Sequence, residues 1–403
     1  MVNQQNSLKK FFSVTGPLVV FAASIMQTCL GGIYGWSTYI PSLRASYNLT
    51  SVQTSVIFGM TTTIFVLSMI IAGRLQERFG PQRIAVFGSL IFCAGYQLAS
   101  FSHGAFLPIL IGIGIFSGVG IGCGYVTSLS TATKWYPKKL GLVTGIVVAG
   151  YGGGSIILSR VVHALLSGGW DVLEVFSAVG LTIGAILLLC TTVLHLPKSD
   201  HVANKRVDQQ QNVDLRLPLL GMFAGTFGGL MVIGSLNPIA IASGLSAAAG
   251  VSSITFFALG NMSGRVVWGL IHDKIGNRAI PLSLLLLAAS VLPLTLGISS
   301  VEFYAVAFSI GFNFGACFVL YVAYLGKLYG HQSVGRLYPV VLLSYAVAGS
   351  IGPLAGGWCY DLQGSYSFAI IAAALMGIIG AGAVSFLLAR SARVAKPQTI
   401  SNN

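Results

Sequence analysis

The sequence predicts an all-α membrane protein in which twelve transmembrane helices form two pseudo-symmetric six-helix bundles. Composition gives the class, because 55% of the 403 residues are hydrophobic and only 8% are charged, unlike a soluble domain of this size. Length gives the helices, because about 20 consecutive apolar residues cross a bilayer. A loop sequence that occurs once in each half gives the symmetry.

Twelve stretches of the chain are long and apolar enough to cross a membrane. Glycine is frequent in them, with 51 residues in the chain, as expected where membrane helices approach one another closely. The glycines between Gly112 and Gly124 therefore predict a packing face, since a dinucleotide-binding motif would follow a strand. The predicted helices lie near 15–40, 52–72, 84–101, 106–133, 141–162, 170–195, 217–243, 247–271, 279–299, 302–326, 336–359 and 366–389.

The loop after the second predicted helix is repeated after the eighth. Residues 73–80 read GRLQERFG and residues 269–276 read GLIHDKIG, so two glycines, an acid and a base match in register. The chain resembles the major facilitator superfamily over its whole length, and this loop is the best-known motif of that superfamily. We therefore expect an N-terminal bundle over 1–195, a cytoplasmic linker over 196–216 and a C-terminal bundle over 217–403.

The duplicated loop predicts gating machinery rather than substrate chemistry. Its glycines allow a tight turn and close helix approach. Its acid and base can form ion pairs or helix-end contacts that hold the two halves together in one closed state. The predicted gating residues are Gly73, Glu77, Arg78, Gly80, Gly269, Asp273 and Lys274.

The net charge of +13 is a topology signal. With the N-terminus placed inside, 19 of the 22 lysines and arginines fall on inside segments, and only Arg44 and Arg160 fall at outside ends. This asymmetry predicts a multi-pass protein of the plasma membrane, the inner membrane of a bacterium, with both termini in the cytoplasm. The positive charge is thus explained by the lipid bilayer, and no nucleic-acid partner is expected.

The sequence predicts neither an enzyme nor a bound cofactor. The nine acidic residues lie near loops or interfaces, the six cysteines lack metal or redox spacing, and no nucleophile–base motif is present. A transporter of a small solute is expected instead, and we expect it to be a monomer.

Arg265 is the one cation inside an apolar stretch, which covers residues 244–271. A charge at membrane depth costs about 2.5–3.5 kcal/mol even on lenient scales, and such residues mark ion or substrate pathways. No acid lies at comparable depth, so the missing anion is interpreted as the substrate. Asn261, one turn earlier, could bind the same carboxylate as the arginine fork. Alternatively, the arginine reaches the interface, about 9 Å away, and Asn261 cross-links helices.

Three further motifs narrow the resemblance. GGIYGW at 31–36, KWYPKKLG at 134–141 and FGGLMVI at 227–233 resemble the oxalate/formate antiporter and monocarboxylate transporter branch of the superfamily. The resemblance implies that a carboxylate binds between the two halves. It implies two binding tyrosines, a binding arginine and an aromatic pair, which fall on Tyr34, Tyr125, Arg265, Phe314 and Phe318.

One position departs from the pattern of that branch. The oxalate-specific transporter has a lysine in its eleventh helix that helps to hold the second carboxylate, and the matching position here is Ala346. Two carboxylates facing one arginine would leave a buried charge uncompensated, which is unfavourable. The expected substrate is therefore a small monocarboxylate of the lactate, pyruvate, acetate and formate class. Leu30, Phe314 and Phe318 would line its alkyl chain, or would be ordinary core residues.

The sequence is compatible with more than one coupling mechanism. Vertebrate-type monocarboxylate transporters show an acid one turn before the arginine, and here that position is Asn261. The proton could travel on the substrate carboxyl group, which gives proton symport by alternating access. The chain could instead exchange one carboxylate for another, as an oxalate/formate antiporter does. A carboxylate sensor that does not transport is a third alternative.

Overall fold

The computed structural model describes residues 2–136, 139–197 and 213–394, and all regular secondary structure in these ranges is helical. The predicted all-α class is confirmed. Turns of 3-10 helix extend α1 over Gly31–Thr38 and flank α11, and a π-helix, Leu110–Ser117, joins α5 to α6. The α-helices are α1 (Val2–Leu30), α2 (Ile40–Tyr47), α3 (Ser51–Phe79), α4 (Pro81–Ser100), α5 (Phe106–Ile109), α6 (Gly118–Trp135), α7 (Leu140–Ser167), α8 (Val172–Thr191), α9 (Arg216–Ala242), α10 (Ala247–Ile275), α11 (Ala279–Val291), α12 (Ser300–Tyr329), α13 (His331–Gln363) and α14 (Ser367–Val394).

Eleven helical stretches among the described residues are long and apolar enough to span a membrane. One of them, Ala247–Thr295, has 49 residues and consists of two helices, α10 and α11, which are separated at Gly276. Counted separately, these two helices bring the total to the twelve crossings that the sequence predicts. Six crossings lie in α1–α8 and six in α9–α14.

An even number of crossings returns the chain to the side on which it started. We call the end of the bundle at which α1 begins and α14 ends the terminal end, and the other the opposite end. The duplicated loops lie at the terminal end, as do the end of α8 and the start of α9, between which the predicted linker 196–216 falls in the sequence. Most of that linker, with Lys198, Lys205 and Arg206, lies outside the described residues.

Single glycines make three tight turns at the terminal end. Gly80 (φ +84°) joins α3 to α4, Gly276 (φ +63°) precedes α11, and Gly330 (φ +80°) joins α12 to α13. Their ψ values near ±150° complete a conformation that is essentially restricted to glycine. The last glycine of the duplicated loop therefore has the same structural task in both halves, which is to reverse the chain between two long helices.

The two halves pack tightly near the opposite end. α3 begins there at Ser51, and eight residues later a Cβ on Gly59 would come within 3.0 Å of the Gly349 carbonyl oxygen on α13. The Thr63 hydroxyl donates to the Ala346 carbonyl oxygen at 3.1 Å. α7 packs against α10 across the same boundary. These contacts close the opposite end.

Candidate functional site

Arg265 lies deep inside α10, and its side chain is half-buried. Because α10 continues to Ile275, Arg265 is ten residues, about 15 Å, from the helix end, farther than the sequence predicted. This depth disfavours the alternative in which the side chain snorkels to the interface. Arg160 also lies inside a helix, because α7 continues to Ser167 and does not end at residue 162 as predicted. Unlike Arg265, however, Arg160 is exposed.

Two contacts hold the Arg265 side chain. Its Nε donates to Oδ1 of Asn261 at 3.2 Å, one turn earlier on the same helix. Its Cζ lies 4.5 Å from the centroid of the Phe318 ring on α12, a cation–π contact. The structure thus brings three predicted site residues together. Asn261 uses its oxygen to orient the guanidinium, while its buried Nδ2 has no hydrogen-bond partner among the described residues.

No acid neutralises Arg265 within the part of the chain that the structure describes. The ion pair found there joins Arg216 to Asp214 at the surface. The two terminal nitrogens of Arg265 make no hydrogen bond with a described residue, so the guanidinium fork is free to donate to two oxygens. Charges attract more strongly in a medium of low dielectric than in water. The geometry therefore suits an anion that presents two oxygens side by side, such as a carboxylate.

Seven aromatic side chains, here called the aromatic cage, surround this position and come from both halves. Neighbouring ring centroids within the cage lie between 5.1 and 6.4 Å apart, and most pairs meet edge to face, which is a favourable arrangement. The cage gives the site apolar walls with four phenolic hydroxyl groups. Its members are Tyr34, Phe65, Tyr125, Tyr151, Phe314, Phe318 and Tyr345.

The two predicted binding tyrosines both belong to the cage, but they differ in exposure. Tyr125 is half-buried, whereas Tyr34 is 1% exposed and its hydroxyl forms a 3.2 Å hydrogen bond with that of Tyr345. Gln27 of α1 fixes the backbone beside Tyr125 by donating to its carbonyl oxygen at 3.0 Å.

The three predicted apolar residues occupy different environments. Phe318 is half-buried beneath the guanidinium, and Phe314 is fully buried behind it, where its ring packs against Gly229 and lies 6.1 Å from that of Tyr34. Leu30 is 1% exposed and packs against Gly124 inside the N-terminal half. It also lines a small internal cavity of that half. These contacts of Leu30 lie within the N-terminal half, and a role in lining the substrate stays a prediction.

Sequence reasoning missed three members of the cage. Tyr151 of α7 packs edge to face on Tyr125 at 5.1 Å, and its buried hydroxyl has no partner among the described residues. Phe65 of α3 lies 5.4 Å from Tyr125. Tyr345 of α13 lies 5.8 Å from Phe318. Their signal in the sequence is weak, because each is a single aromatic residue in an apolar helix.

α13 presents Tyr345, and not Ala346, to the site. The backbone of Ala346 faces α3 through its hydrogen bond with Thr63, and Ala346 is 3% exposed. The helix begins at His331, earlier than predicted, and Arg336 in its second turn is exposed near the terminal end. The position next to Arg265 on α13 is therefore a neutral phenol.

The predicted gating residues lie at the terminal end. No ion pair involves Glu77, Arg78, Asp273 or Lys274 within the described ranges, and the Arg78 guanidinium lies over the ring of its neighbour Phe79. A latch made by these residues therefore stays a prediction for the state in which the terminal end is closed. As for metals, no group of three or more His, Cys, Asp or Glu side chains occurs among the described residues.

The chain is similar to known membrane transporters in family, sequence and structure. The family model described as Major Facilitator Superfamily matches residues 18–300 and 219–402. The uncharacterised transporter YhjX of Escherichia coli (strain K12) is 27% identical over 83% of this chain and 85% of its own length. The oxalate:formate antiporter of Oxalobacter formigenes is 23% identical over 94% of this chain and 92% of its own length.

Two further matches agree with these. Monocarboxylate transporter 11 of Mus musculus is 21% identical over 81% of this chain and 77% of its own length. The solved structure of a bacterial homologue of the human lysosomal transporter Spinster, inward-facing and unoccupied, gives a TM-score of 0.71 at 16% identity. It covers 94% of this chain and 98% of that chain, which shows the same fold. The predicted resemblance is confirmed: the chain belongs to the Major Facilitator Superfamily, whose members are multi-pass membrane transporters and not enzymes.

Proposed function

We propose that this transporter moves small monocarboxylates, of the lactate, pyruvate, acetate and formate class, by alternating access. Arg265 binds the carboxylate through its free guanidinium fork. Tyr34, Tyr125 and the amide of Asn261 donate further hydrogen bonds, and Phe318 provides an apolar floor. The proposal rests on the family, on the aromatic cage between the halves and, above all, on the unpaired charge of Arg265.

The proposal depends most on the unpaired charge of Arg265, because a charge at this depth is energetically unfavourable without a bound anion. Arg265 is about 15 Å from the end of its helix and has no acid as a partner among the described residues. A bound carboxylate supplies the missing charge and two acceptor oxygens. Binding then neutralises the centre of the protein, which lowers the cost of closing the terminal end around the substrate.

A substrate with a single negative charge matches the number of cations in the cage. Among the described residues, Arg265 is the one cation that contacts a cage residue, at Phe318, and α13 contributes the neutral Tyr345 beside that ring. A dicarboxylate would bring one negative charge more than the site can pair, and an unpaired buried charge is strongly unfavourable. This argument favours lactate-like anions over oxalate.

Proton symport is the coupling that we favour, with the proton as the only coupling ion and no bound cofactor. Asn261 stands where an acid would be needed for a fixed relay, so the proton would travel on the substrate. We also propose that the terminal end faces the cytoplasm of a plasma membrane, the inner membrane in a bacterium, because the loops there hold most lysines and arginines. We expect a monomer without a nucleic-acid partner.

Carboxylate exchange is the second candidate function. The observation in its favour is the similarity over 94% of this chain to a protein named as an oxalate:formate antiporter. Exchange needs no proton carrier, so the absence of an acid beside Arg265 is compatible with it. A non-transporting carboxylate sensor is a more distant alternative, because the relatives described above are named as transporters.

Uptake into proteoliposomes tests the proposal. Radiolabelled L-lactate is offered with and without an inward proton gradient, and oxalate and formate are added as competitors. Accumulation of lactate driven by the gradient is the expected result. Oxalate uptake that is stimulated by internal formate and insensitive to pH, without lactate uptake, would instead establish the exchanger.

A further inference from the structure

Tyr34 and Tyr345 join the two halves through their hydroxyl groups. Tyr34 belongs to the first crossing of the N-terminal half and Tyr345 to α13 of the C-terminal half, and their oxygens lie 3.2 Å apart. Both side chains are 1% exposed. The pair is therefore a buried polar contact between two bodies that must separate during alternating access.

The pair has two O–H donors, one more than its single hydrogen bond requires. Two phenols bring two O–H donors, and a hydrogen bond between them consumes one. Within the described ranges neither hydroxyl has a second hydrogen-bond partner. A buried donor without an acceptor is unfavourable, so the remaining proton calls for an acceptor that enters from outside the protein.

The Phe318 ring links this pair to Arg265. The Arg265 Cζ lies 4.5 Å from its centroid, and the Tyr345 ring centroid lies 5.8 Å from it. Phe318 thus contacts both the guanidinium and the Tyr345 ring, so the hydroxyl pair and the proposed anion site belong to the same aromatic cage.

We propose that the Tyr34–Tyr345 pair recognises a neutral oxygen on the carbon next to the substrate carboxylate, so that 2-oxo and 2-hydroxy monocarboxylates are the preferred substrates. The inference rests on the proposed function and adds a second recognition point to it. A keto or hydroxyl oxygen accepts a hydrogen bond from the phenolic O–H that the pair leaves unused. An alkyl acid without such an oxygen leaves this O–H without a hydrogen-bond acceptor. A substrate with a second carboxylate would find no second cation to pair with it.

The same contact couples binding to movement. The substrate oxygen accepts a hydrogen bond from the spare hydroxyl, and when the halves separate its second lone pair accepts from the hydroxyl that the broken Tyr34–Tyr345 bond releases. A ligand shifts a conformational equilibrium only by its difference in affinity for the two states. Substrates with the 2-oxygen therefore loosen this contact at lower cost than substrates without it.

Three acids with three carbons provide the test, because pyruvate, L-lactate and propionate differ only at carbon 2 and are all ionised at pH 7. Each competes against uptake of labelled pyruvate in proteoliposomes. Pyruvate and lactate are expected to compete about tenfold better than propionate, the effect of one neutral hydrogen bond. In Tyr345→Phe and Tyr34→Phe the ratio should fall toward one, through weaker binding of pyruvate and lactate.

Tyr321→Phe is the matched control, because Tyr321 is also 1% exposed but packs against Gly221 within the C-terminal half. It should keep the wild-type ratio. Equal competition by propionate and pyruvate in the wild type, or an unchanged ratio in both cage variants, would overturn this inference while Arg265-dependent carboxylate uptake remained. Absence of carboxylate uptake in the wild type would overturn the proposed function and this inference together.

Discussion

The carboxylate of Asp361 on α13 caps the first residue of α3, Ser51, across the boundary between the halves. Asp361 Oδ1 accepts from the Ser51 backbone N–H at 2.9 Å, and Oδ2 accepts from that of Val52 at 2.8 Å. Thr50 and Gln53 satisfy each other in a capping box at the same helix end. The unpaired N–H groups that begin a helix are thus shared between local partners and a residue of the other half. This contact exists only while the opposite end is closed.

Removing the Asp361 carboxylate is predicted to favour opening of the opposite end. A helix cap is worth about 0.5–2 kcal/mol, so Asp361→Ala should shift the equilibrium by about 2- to 30-fold toward the open state. Distances between spin labels at Ala45 and Leu362, which are exposed at this end in different halves, measure the shift. The control is Asp171→Ala, because Asp171 caps α8 within its own half. An unaltered distance distribution in Asp361→Ala would show that the cap does not select the state.

Two glycines of α3 are predicted to act in opposite directions. A Cβ at Gly59 would lie 3.0 Å from the Gly349 carbonyl oxygen, closer than ordinary contact, so Gly59→Ala should open the opposite end. A Cβ at Gly73 would meet nothing nearer than a Val126 methyl at 3.7 Å in this state. Gly73→Ala should therefore leave the opposite end closed. It should favour this state if Gly73 allows close approach when the terminal end shuts. The same label pair measures both, and equal shifts would contradict the assignment.

Arg265 is predicted to be indispensable for carboxylate binding. Arg265→Ala should weaken binding by about 100-fold or more, because it removes a charge and two charge-assisted hydrogen bonds. Arg265→Lys should weaken it by about tenfold, because the charge remains but the fork is lost. Competition against labelled lactate in proteoliposomes gives both values. Arg160→Ala is the control, since Arg160 is an exposed arginine on α7. Wild-type uptake by Arg265→Ala would remove Arg265 from the site.

A second cation is predicted to allow dicarboxylates to bind when it replaces Tyr345 of α13, but not when it replaces Ala346. Tyr345→Lys places an ammonium group in the aromatic cage and should raise oxalate affinity by about tenfold or more relative to lactate. Ala346→Lys, one residue later, should not, because Ala346 lies where α13 packs against Thr63. Oxalate competition against labelled lactate separates the two variants. A gain in Ala346→Lys alone would favour the sequence alignment over the geometry.

Much of the fold could be predicted from the sequence because membrane insertion depends on local properties. A run of about 20 apolar residues must form a helix, since backbone groups in lipid have no other hydrogen-bond partners. The twelve crossings follow from this rule. The repeated loop at 73–80 and 269–276 predicted the two halves, and the structure adds why each copy ends in glycine: Gly80 and Gly276 both adopt a positive φ.

The charge of Arg265 was also visible in the sequence, since its cost depends only on depth within an apolar stretch. Its surroundings were not. Successive residues of an α-helix point about 100° apart, so an alignment shifted by one position exchanges the side chain at the site for one in a helix interface. Ala346 and Tyr345 illustrate this, and Leu30 shows the same effect in the first crossing, where it packs inside its own half.

The sequence by itself thus determined the superfamily fold, the crossings and the one deep cation, because hydrophobic length and buried charge act over one helix. Only the tertiary structure decided which aromatic residues share the cage, that Tyr34 meets Tyr345, and that Asp361 caps α3. The partners in these last two contacts are 311 and 310 residues apart in the chain. No local pattern encodes such pairs, because they depend on how two six-helix halves dock in one particular state.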